Sequence, residues 1–145
     1  MTEDAIITII SRVRSLANKY IEEQLSLVGT NDMVTSHGTI LGALFSSGGK
    51  LMMKDIAEKI RRDKSTVTYL VNKLLKEGYV KEEQCEADSR IKYIILTEKG
   101  WEFKEKYDQI SKDLLEKVYH GFNQGQKKEL TDLLLKILDN FQDGD

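Results

Sequence analysis

A mainly α-helical chain carrying one small β-hairpin is the fold class this sequence predicts, and three observations predict it. None of the 145 residues is proline, so nothing forces a helix to stop. Apolar residues recur every three or four positions through most of the length, the spacing that gives a helix one buried stripe. Residues 79–96 depart from that spacing, with short alternating and β-branched runs bounded by turn formers. At 145 residues, with 40% apolar and 32% charged, the chain is long enough to bury a core and reads as one domain with helical extensions.

The first helix runs from about Asp4 to Leu27, with Ile6, Ile9, Ile10, Val13, Leu16, Tyr20 and Leu25 on its stripe and Arg12, Arg14, Lys19, Glu22 and Glu23 outside it. Gly29, Thr30, Asn31 and Asp32 form a turn cluster. Thr35 or Ser36 can cap a second helix that reaches about Phe45, with Ile40, Leu41 and Leu44 inside and Ser46 to Gly49 ending it. A third, short helix covers Met53 to Ile60, and its small Ala57 lets a neighbouring helix approach closely.

The fourth helix, Asp63 to Glu77, has two different faces. Val67, Leu70, Val71, Leu74 and Leu75 form an apolar stripe, while Ser65, Thr66, Thr68, Tyr69, Asn72, Lys73 and Lys76 occupy the rest. Asp63 is placed to cap it and Gly78 to stop it. Two helices joined by so short a turn, the second polar at its start, describe a helix-turn-helix.

Tyr79 to Gln84 and Ile91 to Leu96 follow as two strands, and Cys85 to Arg90 turns the chain between them. A hairpin directly after a helix-turn-helix is a wing, with Arg90 at its tip. Thr97 caps a further helix from Glu98 to about Tyr119, which carries Trp101, Tyr107, Ile110, Leu114 and Val118 and is broken by Gly121 and Gly125. The last helix, Gln126 to Phe141, has a wide apolar stripe of Leu130, Leu133, Leu134, Ile137, Leu138 and Phe141. With the first helix it offers more apolar face than a winged helix needs, and a second copy of the chain is the natural partner for it.

Charge is unevenly spread. The net charge is −2, yet Lys50 to Lys81 holds nine basic and four acidic residues, a local balance of +5 against −7 elsewhere. That is the asymmetry of a protein with one surface for phosphates. An acidic start, Met1 to Asp4, does not read as a signal peptide, and no apolar run is long enough to span a bilayer, so a cytoplasmic location and no membrane partner are expected. The single Cys85 has no internal disulfide partner, in keeping with a reducing compartment. His37, His120 and Cys85 lack the spacing of a metal site, and no nucleophile with a base or phosphate-cradling loop is present. No metal, cofactor or enzymatic activity is expected.

Over nearly its full length the chain resembles the MarR family of bacterial transcription regulators. The matching pieces are Leu51 to Ile60, Asp63 to Thr68 with Leu74 and Gly78, the wing Asp88-x-Arg90, Leu96 to Gly100, and the closing segment Asn123 to Phe141. The resemblance implies a single subunit over residues 1–145, with a winged helix-turn-helix over 34–97 and dimerisation helices over 1–30 and 98–145. It implies a homodimer that binds a pseudo-palindromic double-stranded DNA operator, most often as a repressor. Ser65, Thr66, Thr68, Tyr69, Asn72 and Lys73 would then face DNA, with Lys64 and Lys73 on phosphates and Asn72 or Tyr69 nearer base edges. Arg90 would enter the minor groove, oriented by Asp88. The chain departs from the family pattern at Met52, where a capping Thr is frequent, at Tyr69, where Arg is frequent, and in the acidic Glu82, Glu83 and Glu86 of the wing.

Many family members bind small aromatic ligands in a crevice between dimer helices and winged helix, and Tyr20, His37, Trp101 and Tyr107 are the candidates to line one here. Their other reading is as ordinary packing residues of amphipathic helices. The alternative function, a winged helix serving as a protein-interaction module, would need no basic recognition face.

Overall fold

The computed structural model describes residues 2–30 and 33–142. Asn31 and Asp32 of the predicted turn cluster lie outside the described residues. In chain order the elements are a 3-10 turn (Glu3–Ala5), α1 (Ile6–Leu27), α2 (Thr35–Ser46), β1 (Lys50–Met52), α3 (Met53–Ile60), α4 (Lys64–Lys76), β2 (Val80–Gln84), β3 (Lys92–Leu96), α5 (Glu98–Glu102), α6 (Lys104–Val118) and α7 (Gln124–Gln142). They fall into two compact units, Met1–Ser111 and Lys112–Asp145.

In the first unit α2, α3 and α4 pack on a three-stranded sheet. Ile40, Leu41 and Leu44 of α2, Ile56 of α3, Leu74 of α4 and Ile94 of β3 are all fully buried. Each helix contributes the stripe its sequence marks out, and burying such a side chain stabilises the fold by about 1.5–3 kcal/mol relative to leaving it exposed. The sheet is antiparallel in the order β1-β3-β2. Val80 pairs with Leu96 and Gln84 with Lys92, so β2 and β3 form the expected hairpin.

The third strand, β1, was not legible in the sequence. It is three residues long, and Lys50, Leu51 and Met52 pair with Ile95, Ile94 and Tyr93. Three residues cannot display a period of two, so only the partner strand reveals it.

Four local expectations need correction. Helix α2 is not capped by Thr35 or Ser36. Its N-cap is Val34, whose backbone N–H donates to Nδ1 of His37 at 2.9 Å while the His37 N–H donates to the Val34 carbonyl at 3.0 Å. The imidazole thus plays the part of the returning side chain in a capping box. The helix predicted from Glu98 to Tyr119 is two helices separated at Phe103, whose buried ring meets Tyr79 edge-on at 5.6 Å. Gly125 does not break the chain but lies inside α7. The second unit's closing helix starts at Gln124, and Asn123 Oδ1 accepts from the Gln126 N–H at 2.8 Å while Gln126 Oε1 accepts from the Asn123 N–H at 3.0 Å.

The junction between the hairpin and α5 is held tightly. Thr97 caps α5 by accepting from the Gly100 N–H at 3.2 Å and donates its hydroxyl proton to the Gly78 carbonyl. Gly100 is packed so closely that a Cβ there would collide with the carbonyl of Tyr79 and with Leu96. A glycine is required by space rather than by backbone angle. No helix of the described residues is long and apolar enough to cross a membrane.

Candidate nucleic-acid interface

Helix α4 is built to be held on one side and free on the other. Val67, Leu70, Val71 and Leu74 are buried, whereas Lys64, Ser65, Thr68, Tyr69 and Asn72 are exposed. Tyr69 presents 75% of its surface to solvent. Thr66 and Lys73 are half-buried at the edge of this surface. Thr66, Tyr69 and Lys73, at spacings of three and four, share one helical face, and Tyr69 is its projecting member.

Asp63 fixes where the surface begins. Its carboxylate accepts from the Thr66 N–H at 2.7 Å and from the Ser65 hydroxyl at 2.9 Å. Those bonds hold the acid below the usual carboxylate range, the Thr66 N–H being the larger cause. The Thr68 hydroxyl donates to the Lys64 carbonyl at 2.9 Å. Ser65 and Thr68 consequently have their protons committed within the helix and present oxygen lone pairs outward.

Three residues separate α3 from α4. Arg61 takes a left-handed backbone, φ 54°, which costs about 1–2 kcal/mol for a residue with a Cβ. Arg62, which follows, donates from Nη2 to the Ser36 hydroxyl on α2 at 3.1 Å. This link from the turn to α2 has no local sequence signal, because the two residues are far apart in the chain. At the other end of α4, Lys73 lies 3.4 Å from Glu77, so the lysine shares its charge with a neighbouring acid.

The wing tip is ordered by one ion pair. Asp88 accepts from Nε of Arg90 at 3.0 Å, from Nη2 at 3.1 Å and from the Arg90 backbone N–H at 3.0 Å. The Arg90 guanidinium beside it holds the Asp88 carboxyl below its ordinary range. Arg90 is 88% exposed. A cation is thus held in one orientation while fully open to solvent, which is a costly arrangement in side-chain entropy unless something is to be met there. Farther back, Lys92 sits 3.3 Å from Glu82, which offsets one of the acids on β2.

Two of the four aromatic candidates are brought together on one residue. Trp101 and Tyr107 both meet Phe45 of α2, at centroid distances of 5.9 and 5.3 Å. The Tyr107 ring also fills the space beside Gly42. In the sequence Phe45, the hub of this cluster, marks only the end of α2. His37 is 3% exposed and its ring caps α2, with Nε2 buried and without a hydrogen-bond partner among the described residues. Burial, with a contribution from Lys73, lowers its pKa, against a smaller opposing effect of the Val34 backbone. Tyr20 is half-buried on α1. Among the described residues no group of three or more His, Cys, Asp or Glu side chains is placed to hold a metal ion.

Comparison with known proteins gives a consistent result. A sequence model of the MarR family matches residues 31–91. The HTH-type transcriptional regulator SarZ of Staphylococcus epidermidis is 32% identical over 108 residues, which are 74% of this chain and 69% of that protein. BilQ of Clostridium symbiosum, also an HTH-type transcriptional regulator, is 30% identical over 84 residues, and the chain spans 58% of its length. Among solved structures, the MarR family regulator Sco3205 of Streptomyces coelicolor, determined with DNA, superposes with a TM-score of 0.86 over 99% of this chain and 91% of that one, at 22% identity. A MarR regulator from Methanosarcina mazei superposes with a TM-score of 0.82 at 24% identity, covering 97% and 98%. These last two speak for the fold. A polar-faced α4, its Asp63 cap and a wing bearing Asp88 and Arg90, joined to the likeness with SarZ and the family match over that same segment, place this chain in the MarR family of transcriptional regulators, which are not enzymes.

Proposed function

We propose that this chain is a homodimeric, cytoplasmic repressor that binds double-stranded DNA sequence-specifically, with α4 in the major groove and the wing in the adjacent minor groove. The observation that carries the reading is the pairing of an exposed polar face on α4 with a solvent-open Arg90 held by Asp88. Lys64 and Lys73 serve phosphates. Tyr69 and Asn72 stand far enough out to reach base edges, and Ser65, Thr66 and Thr68 line the approach. The basic balance of residues 50–81 supplies the field that draws DNA in. Relatives of the same fold, Sco3205 and MepR of S. aureus, were solved as DNA complexes, which supports the same partner here.

A homodimer is supported by apolar surface at both ends of the chain. On α1, Ile6, Ile7, Val13 and Leu16 are each more than 40% exposed, and on α7 so are Leu133, Leu135, Leu138 and Phe141. Side chains of this kind are covered in working proteins, and two-fold pairing places two copies of α4 on successive turns of a pseudo-palindromic operator. Release by a small aromatic ligand is part of the proposal, with Trp101 and Tyr107 as the side chains to meet it and Tyr20 and His37 as further members of the crevice.

Binding to fragments selected from genomic DNA, measured over a salt series, tests the reading. Log K should fall steeply with log salt, because each neutralised phosphate releases counterions with a slope of about −0.9. A flat dependence refutes DNA binding. Truncation after Gly125 should give monomers by light scattering, and a dimeric truncated protein refutes the role of α7.

A further inference from the structure

The geometry points to an oxyanion-binding site in the cleft at the head of α2, separate from the recognition helix and the wing. The cleft has a volume of about 130 Å³ and is lined by Arg14 and Asn18 of α1, Thr35, Ser36 and Thr39 of α2, and Ile60 and Arg62 around the turn before α4. About 10–15 Å³ of such space already holds a water, so a tetrahedral anion such as phosphate has room.

The charge balance of the cleft is one-sided. Two guanidinium groups line it and no carboxylate does. Neither arginine belongs to an ion pair among the described residues. Asp63, the acid next to Arg62 in sequence, has its carboxylate bound to the Thr66 N–H and the Ser65 hydroxyl, and the charge of Arg62 is the smallest of the effects acting on it. Two like charges around one small cavity repel, and an anion between them reverses the sign of that interaction.

The donors are also of the right kind. Arg62 uses one N–H on the Ser36 hydroxyl, which leaves most of its planar fork for an oxyanion, the geometry guanidinium recognises best. Ser36 accepts that bond, so its own proton stays available. Thr35 and Ser36 are the first two residues of the 12-residue α2, whose N-cap Val34 has no side-chain acceptor to offer their backbone N–H groups. Those amides and the positive end of the helix dipole favour the same ligand.

Two sources can supply the anion: a backbone phosphate of bound DNA, since Arg62 immediately precedes the cap of α4, or a free inorganic or organic phosphate. Only the choice between them rests on the DNA-binding reading. The full-length protein is compared by thermal shift in sodium phosphate and in sodium chloride at matched pH and ionic strength. Phosphate should raise the melting temperature more than chloride in the wild type, and Arg14→Gln and Arg62→Gln should each abolish the difference. Equal response to both salts, or a difference that persists in both variants, overturns the site.

The DNA arm then identifies the source. A salt slope that falls by about two in Arg62→Gln, one per protomer of the dimer, assigns the cleft to a backbone phosphate, and an unchanged slope beside a lost phosphate response assigns it to a free anion. Failure of the DNA reading itself would look different, since the wild type would then have no slope to change.

Discussion

Arg90→Ala isolates the wing's contribution, and the structure allows its size to be worked out beforehand. Arg90 is 88% exposed and its partner Asp88 33% exposed, so their ion pair sits in water and contributes about 0–1 kcal/mol to folding. For a chain of this size that corresponds to a melting-temperature change of at most about 4 °C. The effect on DNA should be larger and should depend on salt. Removing one counterion-displacing charge from each protomer of the dimer lowers the slope of log K against log salt by about 1.8, so the ratio of wild-type to variant affinity should change about twelvefold between 50 and 200 mM salt. Fluorescence anisotropy with a labelled operator fragment measures this, and light scattering confirms that the oligomer is unaltered. Asp88→Asn is the companion variant. It keeps the cation but removes the charged brace given by the bonds to Nε and Nη2. Its slope should match the wild type while its affinity falls, because the arginine must then be ordered on binding. An Arg90→Ala protein with unchanged affinity and slope would refute the argument, as would an Asp88→Asn protein whose slope drops by as much as that of Arg90→Ala.

Two further outcomes are expected. Gly100→Ala should destabilise the first unit by about 1–3 kcal/mol in urea unfolding, because the new methyl meets the Tyr79 backbone, which cannot rotate away; a variant as stable as the wild type contradicts the close packing. His37 has a pKa lowered in the folded state from an ordinary value of 6.5, so its contribution is present above that value and is lost as pH falls through and below it. Protonation also places a hydrogen on the Nδ1 that accepts from the Val34 N–H. Melting temperature should therefore drop between pH 7.5 and 5 in the wild type, and His37→Gln, which can still return a side-chain acceptor to the cap, should flatten that drop. An identical pH profile in the two proteins would remove His37 from the cap.

The family motifs were legible where the physics is local. Asp63 caps because a carboxylate three residues before a free N–H can do little else so well, and the α4 stripe of Val67, Leu70, Val71 and Leu74 is buried as its spacing requires. The hairpin likewise announced itself through Ile91 to Leu96. Gly100 shows the boundary of that legibility, since the sequence marked it as part of a motif but only the approach of the Tyr79 carbonyl explains it.

What the sequence alone determined is the set of elements with their own period or cap, α1, α3, α4 and the hairpin, together with the charge of residues 50–81, whereas the Asp88–Arg90 brace follows only from the family resemblance. The tertiary structure decided everything that needs a partner remote in the chain. Strand β1 exists because Ile94 and its neighbours offer unpaired backbone groups to three residues too few to declare themselves. Phe45 gathers Trp101 and Tyr107, and the His37 ring caps α2. Arg14 and Arg62, 48 positions apart in the sequence, come to line one cleft. The reason is common to all of these: periodicity and capping are set by neighbours three or four residues away, whereas packing and electrostatic juxtaposition depend on which surfaces the fold brings together.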